Sequence, residues 1–410
     1  MAASHPDAFS SRLDPAPDWL TRADTAAVMA ALSAAGGEDA ARFVGGCVRD
    51  TLTGHKVEDI DIATRLTPDA VIAALKAAGL KSVATGVEHG TVTAIASGRP
   101  FEITTLRRDV ETDGRRAVVA FTQDWAEDAQ RRDFRLNAIY ADRSGALFDP
   151  TGAGVADAHA GRIVFVGDAA MRVREDYLRI LRFFRFFAWY GDGAPDAAAL
   201  AACAALKDGL ASLAAERVTK ELLKLLAAPD PRPAVALMSQ TGVLTKILPG
   251  TDELSVFGAM AALSADPLLR LAALAPRDAA GTASALRLSN AQRDRLIVAT
   301  ADEIAPMDLR AARRALYAVG AQSFADRARL AWAAGRGGEA DWTPLLGQAD
   351  AWSPPVLPVN GADAVAAGIV PGPAMGAALR AVEAWWVDED FAPDRAAALD
   401  RLAVIARAAG

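Results

Sequence analysis

Asp59 and Asp61 stand two residues apart in DIDIAT (59–64), a stretch in which polar and apolar residues alternate. That period predicts a β-strand, and strand residues two apart share a face. Both carboxylates then point one way, while Ile60 and Ile62 point the other, into a core. Two like charges held side by side repel unless a cation lies between them. Hard oxygen ligands at this spacing suit Mg²⁺, which leaves positions open for substrate phosphates. Glu102 lies between Phe101 and Ile103 on another predicted strand and could complete a three-carboxylate, two-metal site. A plainer reading is also open, in which all three are solvent-face residues of edge strands.

Gly45-Gly46 falls between an apolar strand, ARFV, and a helix predicted to begin near Val48. Adjacent glycines let backbone N–H groups approach an anion, helped by the positive end of a helix. A triphosphate above the metals could use this turn, with Arg49 beside it. The turn is not a phosphate-binding GxxxxGK[ST] loop, and GGCVRD lacks the third spaced glycine of a dinucleotide fingerprint. An ordinary strand-to-helix turn remains the alternative.

The elements that must position these residues are legible as one α/β unit over 22–150, of about four or five short strands. Residues 22–34 and 68–79 read as helices, the second with a Pro near its start and a Gly at its end. KSVAT (81–85), GTVTAIAS (90–97) and FEITTLR (101–107) read as strands, with a turn at Gly98-Arg99-Pro100. From Asp168 the pattern turns helical. EDYLRILRFFRFFAWYG (175–191) reads as one helix stopped by Gly191, and ERVTKELLKLLAAP (216–229) as another stopped by Pro229. The Pro-rich WSPPVLPVNG (352–361) separates a last helical unit.

Composition narrows the function. In 410 residues, 44 Lys and Arg meet 51 Asp and Glu, a net charge of -7, which argues against a polycation that coats nucleic acid but leaves room for a local basic groove. Two cysteines, Cys47 and Cys203, make neither a disulfide framework nor zinc spacing, and four histidines make no metal cluster. The first twenty residues lack a basic segment followed by an apolar run, and no stretch reads as a membrane span. The expectation is a soluble, cytoplasmic protein with no membrane partner; protein partners are not legible.

Taken together, GGCVRDTLTG followed four residues later by DIDIAT resembles the signature of the class II template-independent nucleotidyltransferases, the family of CCA-adding tRNA nucleotidyltransferases and bacterial poly(A) polymerases. The resemblance continues in order through RRDFRLNAI (131–139), FDPTGAGVADAHAGRI (148–163), EDYLRILRFFRF (175–186) and ERVTKELLKLL (216–226). Arg135 and Tyr177 replace the Thr and Pro usual in these motifs. NGADAVAAGIVPGPAMGAAL (360–379) is similar to a segment near the end of many CCA-adding enzymes.

The resemblance implies an α+β fold: a polymerase-β-like nucleotidyltransferase head over 22–150, then an all-helical neck (151–228), body (229–350) and tail (351–410) that binds tRNA. It implies CCA addition to the 3′ end of tRNA from CTP and ATP with two Mg²⁺ ions held by Asp59, Asp61 and Glu102. Nucleotide binding would involve Gly45, Gly46, Arg49, Arg132, Asp133, Asn137, Asp176, Arg179 and Arg182. By the same match, Asp133 is the acceptor for the ribose 2′-OH, Asn137 positions that loop, and Asp176 with Arg179 selects C and A. Glu216 and Arg217 support the selecting helix. Asp176 and Arg179, three apart on one predicted helix, would share a face, though a surface salt bridge is the simpler alternative. Five arginines against two acids across 172–185 suggest a basic groove.

Alternatives are a poly(A) polymerase, a CC-only enzyme and a noncatalytic RNA-binding relative. Residues 229–410 hold 17 basic and 20 acidic residues, unlike a basic polymerase extension. LRRDVETDGRRAVVAF (106–121) resembles the full-length flexible loop that CC-only enzymes lack in part. The three carboxylates argue against a noncatalytic relative. No histidine follows His159, which excludes a His/Asp phosphohydrolase domain.

Overall fold

The chain begins with an eight-stranded sheet and a separate two-stranded hairpin, seen in a computed structural model that describes residues 11–113, 116–251, 253–275 and 278–409. The first ten residues of the predicted lead-in and Gly114-Arg115 of the segment 106–121 lie outside the described residues, as do the side chains of 109–119. The sheet strands are β1 (Ser11–Arg12), β2 (Ala41–Val44), β3 (Asp61–Thr64), β4 (Lys81–Gly86), β5 (Thr91–Ala96), β6 (Arg99–Thr105), β9 (Tyr140–Ala141) and β10 (Ala146–Phe148). The hairpin is β7 (Arg107–Asp113) with β8 (Arg116–Phe121). This exceeds the four or five strands expected. Strands of two or three residues carry no readable period, and the hairpin falls in the segment matched to a loop. The turn between β5 and β6 is Ser97-Gly98, so Arg99 and Pro100 already belong to β6.

Strand order is β1-β10-β9-β2-β3-β6-β5-β4, and every pairing is antiparallel except β3 with β6. All four residues of β2 are buried, as a central strand covered on both faces must be. On β6, Phe101, Ile103 and Thr105 are buried, while Glu102 between them is exposed. Ile62 lies opposite Ile103 and Asp61 opposite Glu102, so the apolar pair and the carboxylate pair take opposite faces.

The helices of this region are α1 (Asp18–Thr21), α2 (Ala23–Gly36), α3 (Gly46–Leu52), α4 (Pro68–Ala77), α5 (Trp125–Gln130), α6 (Gly154–His159), α7 (Ala169–Glu175), α8 (Leu178–Tyr190), α9 (Ala197–Leu206) and α10 (Ala215–Leu226). α2 and α4 pack against each other and on β5, burying Val28, Leu32, Val71 and Leu75. Thr67 caps α4 by accepting from the Ala70 N–H, and Pro68 occupies its first turn, where a missing N–H costs nothing. On the carboxylate face, Val44, Ala63, Leu106, Trp125, Tyr140 and Val166 form a second core cluster. α8 buries Ile180, Leu181, Phe183, Phe184, Phe186 and Phe187. Each buried phenylalanine contributes roughly 1.5–3 kcal/mol, so this helix is fixed by its apolar face.

The chain divides into two compact units, the first ending at Asp252 and the second running from Glu253. Among the described residues the second unit is helical. Helices Leu309–Val319, Ala321–Ala333 and Glu339–Asp350 pack around Leu316, Phe324 and Trp342. The last three helices, from Gly361, close over Val359, Ala364, Val382 and Leu402. No helix among the described residues is long and apolar enough to cross a membrane.

Candidate active site

The parallel β3–β6 pairing sets Asp61 directly opposite Glu102. Asp59 is placed differently from expectation: β3 starts at Asp61, and Asp59 is an exposed residue two positions before it. Ile60 is buried between them and anchors the entry to the strand. Burial, followed by the charge of Glu102, raises the Asp61 carboxyl to about 6, and Asp59 adds to the rise while Arg132 and Arg49 oppose it. Among the described residues no three His, Cys, Asp or Glu side chains converge as a ready-made metal cluster. The three carboxylates therefore share one electrostatic field while standing apart, as like charges do. A divalent cation would offset that repulsion, and the all-oxygen donor set suits a hard ion.

Gly45 closes this face from above. Its φ is 72°, and a Cβ there would lie 3.4 Å from Oδ2 of Asp61. The backbone conformation favours glycine, and the Cβ position would lie in ordinary contact with the carboxylate. α3 begins at Gly46, two residues earlier than expected. Cys47 lies beneath, fully buried, its Sγ donating to the carbonyls of Val44 (3.4 Å) and Asp61 (3.7 Å). Burial pushes its thiol up to about 12, consistent with a packing role.

Arg49, Asn137, Asp133 and Arg182 form a continuous chain. Arg49 donates to Asn137 Oδ1 at 2.8 Å, and Asn137 Nδ2 donates to Asp133 Oδ1 at 2.9 Å. Arg182 Nε donates to Asp133 Oδ2 at 2.8 Å, and its Nη2 to the same oxygen. Burial alone would raise the Asp133 carboxyl, but the Arg182 charge and the hydrogen bonds outweigh it and hold the group at about 2. Arg49 also lies over the Tyr190 ring, 4.5 Å from its centroid. Arg132 turns the other way, onto buried Asp128 (2.9 Å), and Tyr140 OH donates to that same carboxylate at 2.7 Å.

The expected helix over 175–191 is broken. α7 ends at Glu175, α8 starts at Leu178, and Asp176 between them is extended, with φ −155° and ψ 106°. Asp176 and Arg179 therefore do not share a helix face as a pair. Arg217 donates to Asp176 Oδ2 at 2.7 Å, and the Leu178 N–H donates to Oδ1 at 3.1 Å. Arg179 instead reaches Glu175 (2.5 Å) and the Arg172 carbonyl (3.1 Å). Four of the five arginines of the stripe are paired with acids, and the fifth, Arg174, is exposed. Arg172 and Arg179 meet Glu175, Arg182 meets Asp133, and Arg185 meets Glu221 at 2.6 Å.

Comparison with known proteins places this geometry. The family model described as "Poly A polymerase head domain" matches residues 41–164, and the one described as "Probable RNA and SrmB- binding site of polymerase A" matches 194–254. Mitochondrial CCA tRNA nucleotidyltransferase 1 of Mus musculus is 35% identical over 360 residues, which cover 84% of this chain and 82% of the mouse protein. The chain belongs to the CCA tRNA nucleotidyltransferase family. The CCA-adding enzyme of Geobacillus stearothermophilus is 40% identical over 215 residues, 51% of each chain. The crystal structure of the Bacillus stearothermophilus CCA-adding enzyme in complex with CTP superposes with a TM-score of 0.74 at 28% identity, covering 90% of this chain and 94% of that one. The Thermotoga maritima CCA-adding enzyme complexed with tRNA shares the fold, with a TM-score of 0.67 at 18% identity, over 93% and 95% of the two chains. The fold is thus the family's mixed-sheet head followed by helices, and the family's chemistry depends on a divalent metal.

Within this family framework, several residues of the site escape a reading by motif. Asp128 stands three and four residues before Arg131 and Arg132, a spacing that pairs charges on a helix, and it holds both. Tyr140 completes that group across the sheet. Arg217, expected to support the selecting helix, has the Asp176 side chain as its partner. Glu221, one turn further along α10, holds Arg185 by a contact between helices that no local spacing announces.

Proposed function

We propose that this chain adds CCA to the 3′ end of tRNA from CTP and ATP, releasing pyrophosphate, with Asp61 and Glu102 at the reacting centre. The observation that carries the reading is their cross-strand register, under a glycine that leaves room beside the Asp61 carboxylate, in a chain related to CCA-adding enzymes along most of its length. The tRNA 3′-hydroxyl attacks the α-phosphate, and pyrophosphate leaves. Asp59, Asp61 and Glu102 would hold two Mg²⁺ ions, which when bound supply charge neutralisation and a more acidic hydroxyl. Glu102, exposed on its strand, would also accept the hydroxyl proton.

The remaining roles are those the family resemblance implies, and the contacts show what orients each group. Asp133, oriented by Asn137 and Arg182, accepts from the ribose 2′-OH. Arg49 and Arg132 lend positive charge to a face that will receive a triphosphate. Asp176 accepts from the exocyclic amine that C and A share, while U and G present a carbonyl there. Arg179 frames the same link from the first turn of α8. We assign the head to 22–150, the neck to 151–228, the body to 229–350 and a tRNA-binding tail to 351–410, in a cytoplasmic protein.

The test is incubation of tRNA lacking CCA, tRNA ending in CC and an unrelated RNA with each labelled nucleotide, read by product length. Addition of C, C and A in order supports the reading. Long adenosine tails on unrelated RNA would mean a poly(A) polymerase, and arrest at CC a CC-only enzyme.

A further inference from the structure

Tyr177 is the second residue of the two-residue link between α7 and α8, next to Asp176. Its ring lies flat against Gly209, in the turn Lys207–Ser212 that precedes α10. A Cβ added at Gly209 would fall 2.2 Å from Cδ1 of the ring, 2.3 Å from Cε1 and 2.4 Å from Cγ. No real pair of atoms sits that close, so the ring occupies the space a side chain would need. Gly209 lies outside the left-handed region, which any residue could therefore replace on backbone grounds. Only the approach of the Tyr177 ring requires glycine here.

The same stretch touches the link a second time. Arg217, on α10 eight residues beyond Gly209, donates to Oδ2 of Asp176, and the Leu178 N–H donates to Oδ1. Segment 207–217 thus holds Tyr177 through van der Waals contact and Asp176 through a charged hydrogen bond. The link has no helical hydrogen-bond ladder of its own to keep Asp176 extended. Its conformation depends on what packs against it.

We propose that Tyr177 and Gly209 form a positioning contact that sets the Asp176 carboxylate and thereby the choice of nucleotide. Tyr177 touches neither nucleotide nor RNA in this role; it acts through its neighbour. The proposal rests on the reading of Asp176 as the base-selecting carboxylate. Displacement of a reading group by about 1 Å costs on the order of 100-fold where geometry is strict. A methyl group at 209 must push the ring away by a comparable distance.

The backbone supplies the control. Tyr177 has φ −59° and ψ −17°, within the range proline imposes, and Asp176 is extended, as a residue before proline prefers to be. Tyr177→Pro therefore removes the ring while keeping the link in shape. The two residues would fix the link by different means, one by packing and one by ring closure.

The experiment is a four-nucleotide competition on tRNA lacking CCA, with kcat and KM for CTP and ATP measured separately. Gly209→Ala is expected to lower the preference for CTP and ATP over UTP and GTP by about tenfold or more, with the larger change in KM. Gly209→Ala combined with Tyr177→Pro is expected to restore the preference. Tyr177→Ala, which frees the link without a clash, should weaken it and serves as the test if Gly209→Ala fails to fold. Asp176→Ala is run beside them. If it leaves the ratios unchanged, the base-reading assignment fails and takes the proposal with it. If Asp176→Ala shifts the ratios while folded Gly209→Ala or Tyr177→Ala does not, the positioning contact alone is overturned. Failure of Tyr177→Pro to rescue Gly209→Ala would also overturn it, since the ring would then not be the route.

Discussion

Arg182 and Asp133, 49 residues apart in the chain, meet through two nitrogens on one carboxylate oxygen. This pair ties the loop after α5 to the middle of α8. The other Asp133 oxygen is taken by Asn137 and by the Phe134 N–H, so the carboxylate is fully oriented although nearly buried.

Removing one partner of such a pair strands the other. Arg182→Ala should destabilise the first unit by about 3–5 kcal/mol, because an uncompensated carboxylate is left buried. The sign of the pH dependence follows from the lowered Asp133 pKa. A folded value of about 2 against an ordinary 3.8 adds stability above about pH 4, which is lost as pH falls toward 2. Asp133→Asn should therefore lose stability at pH 7 and approach wild type near pH 2. Urea unfolding at a series of pH values checks both; a pH-independent difference would contradict the pairing.

Asp61 titrates in the opposite sense. Its carboxyl, raised to about 6, favours the protonated form, so the metal-free protein loses stability as pH rises from about 4 through 6. A cation competes with that proton. The Mg²⁺ concentration for half-maximal incorporation should be higher at pH 5.5 than at pH 7.5, and Mg²⁺ should raise the melting temperature more at the higher pH. Asp61→Asn should remove this dependence and lower incorporation by at least about 100-fold, with tRNA binding retained. A Mg²⁺ requirement flat across this range would contradict Asp61 as a ligand.

Asp176→Ala should lose kcat/KM for CTP and ATP and gain relative use of UTP and GTP. An unsatisfied or repulsive contact at the base edge costs roughly 1–3 kcal/mol, and alanine removes both the attraction and the repulsion. Arg217→Ala should move in the same direction more weakly, because Asp176 keeps its Leu178 contact. Wild-type ratios in Arg217→Ala would mean that the 2.7 Å bond does not orient the reading group.

Cys47 and Cys203 are both buried, and burial raises both thiols. Neither should react with a thiol reagent at pH 8 in the native protein, and both should react once it is unfolded. Fast native-state labelling followed by peptide mapping to Cys47 would mean that the floor under Asp61 opens to solvent.

Much of this organisation could be read before the structure, because periodicity reports burial. The alternation of β5 and β6 and the opposite-facing pairs Ile62–Ile103 and Asp61–Glu102 carry their own pattern. The break at Asp176 does not. EDYLRIL contains no glycine or proline, so the helical period runs through the gap without a signal. The contacts at the break are tertiary: Arg217 on Asp176 and Gly209 against Tyr177. The pairing within the arginine stripe is hidden from the sequence for a related reason. Spacing shows that Arg179, Arg182 and Arg185 share a face, but not that Glu175, Asp133 and Glu221 are waiting opposite. Asp59 lies off the strand because alternation marks where a strand could run, while hydrogen bonding decides where it starts.

The lone parallel pairing in the sheet has a consequence for assembly of the protein itself. Between Asp61 and Glu102 the chain must leave β3, form α4, and return through β4 and β5 before β6 can dock. No shorter fragment can bring the two carboxylates side by side, since a hairpin cannot make neighbours run in the same direction. The Asp61–Glu102 neighbourhood is therefore made only once β6 has docked between β3 and β5. A chain that stops short of β6 holds Asp61 without its cross-strand partner.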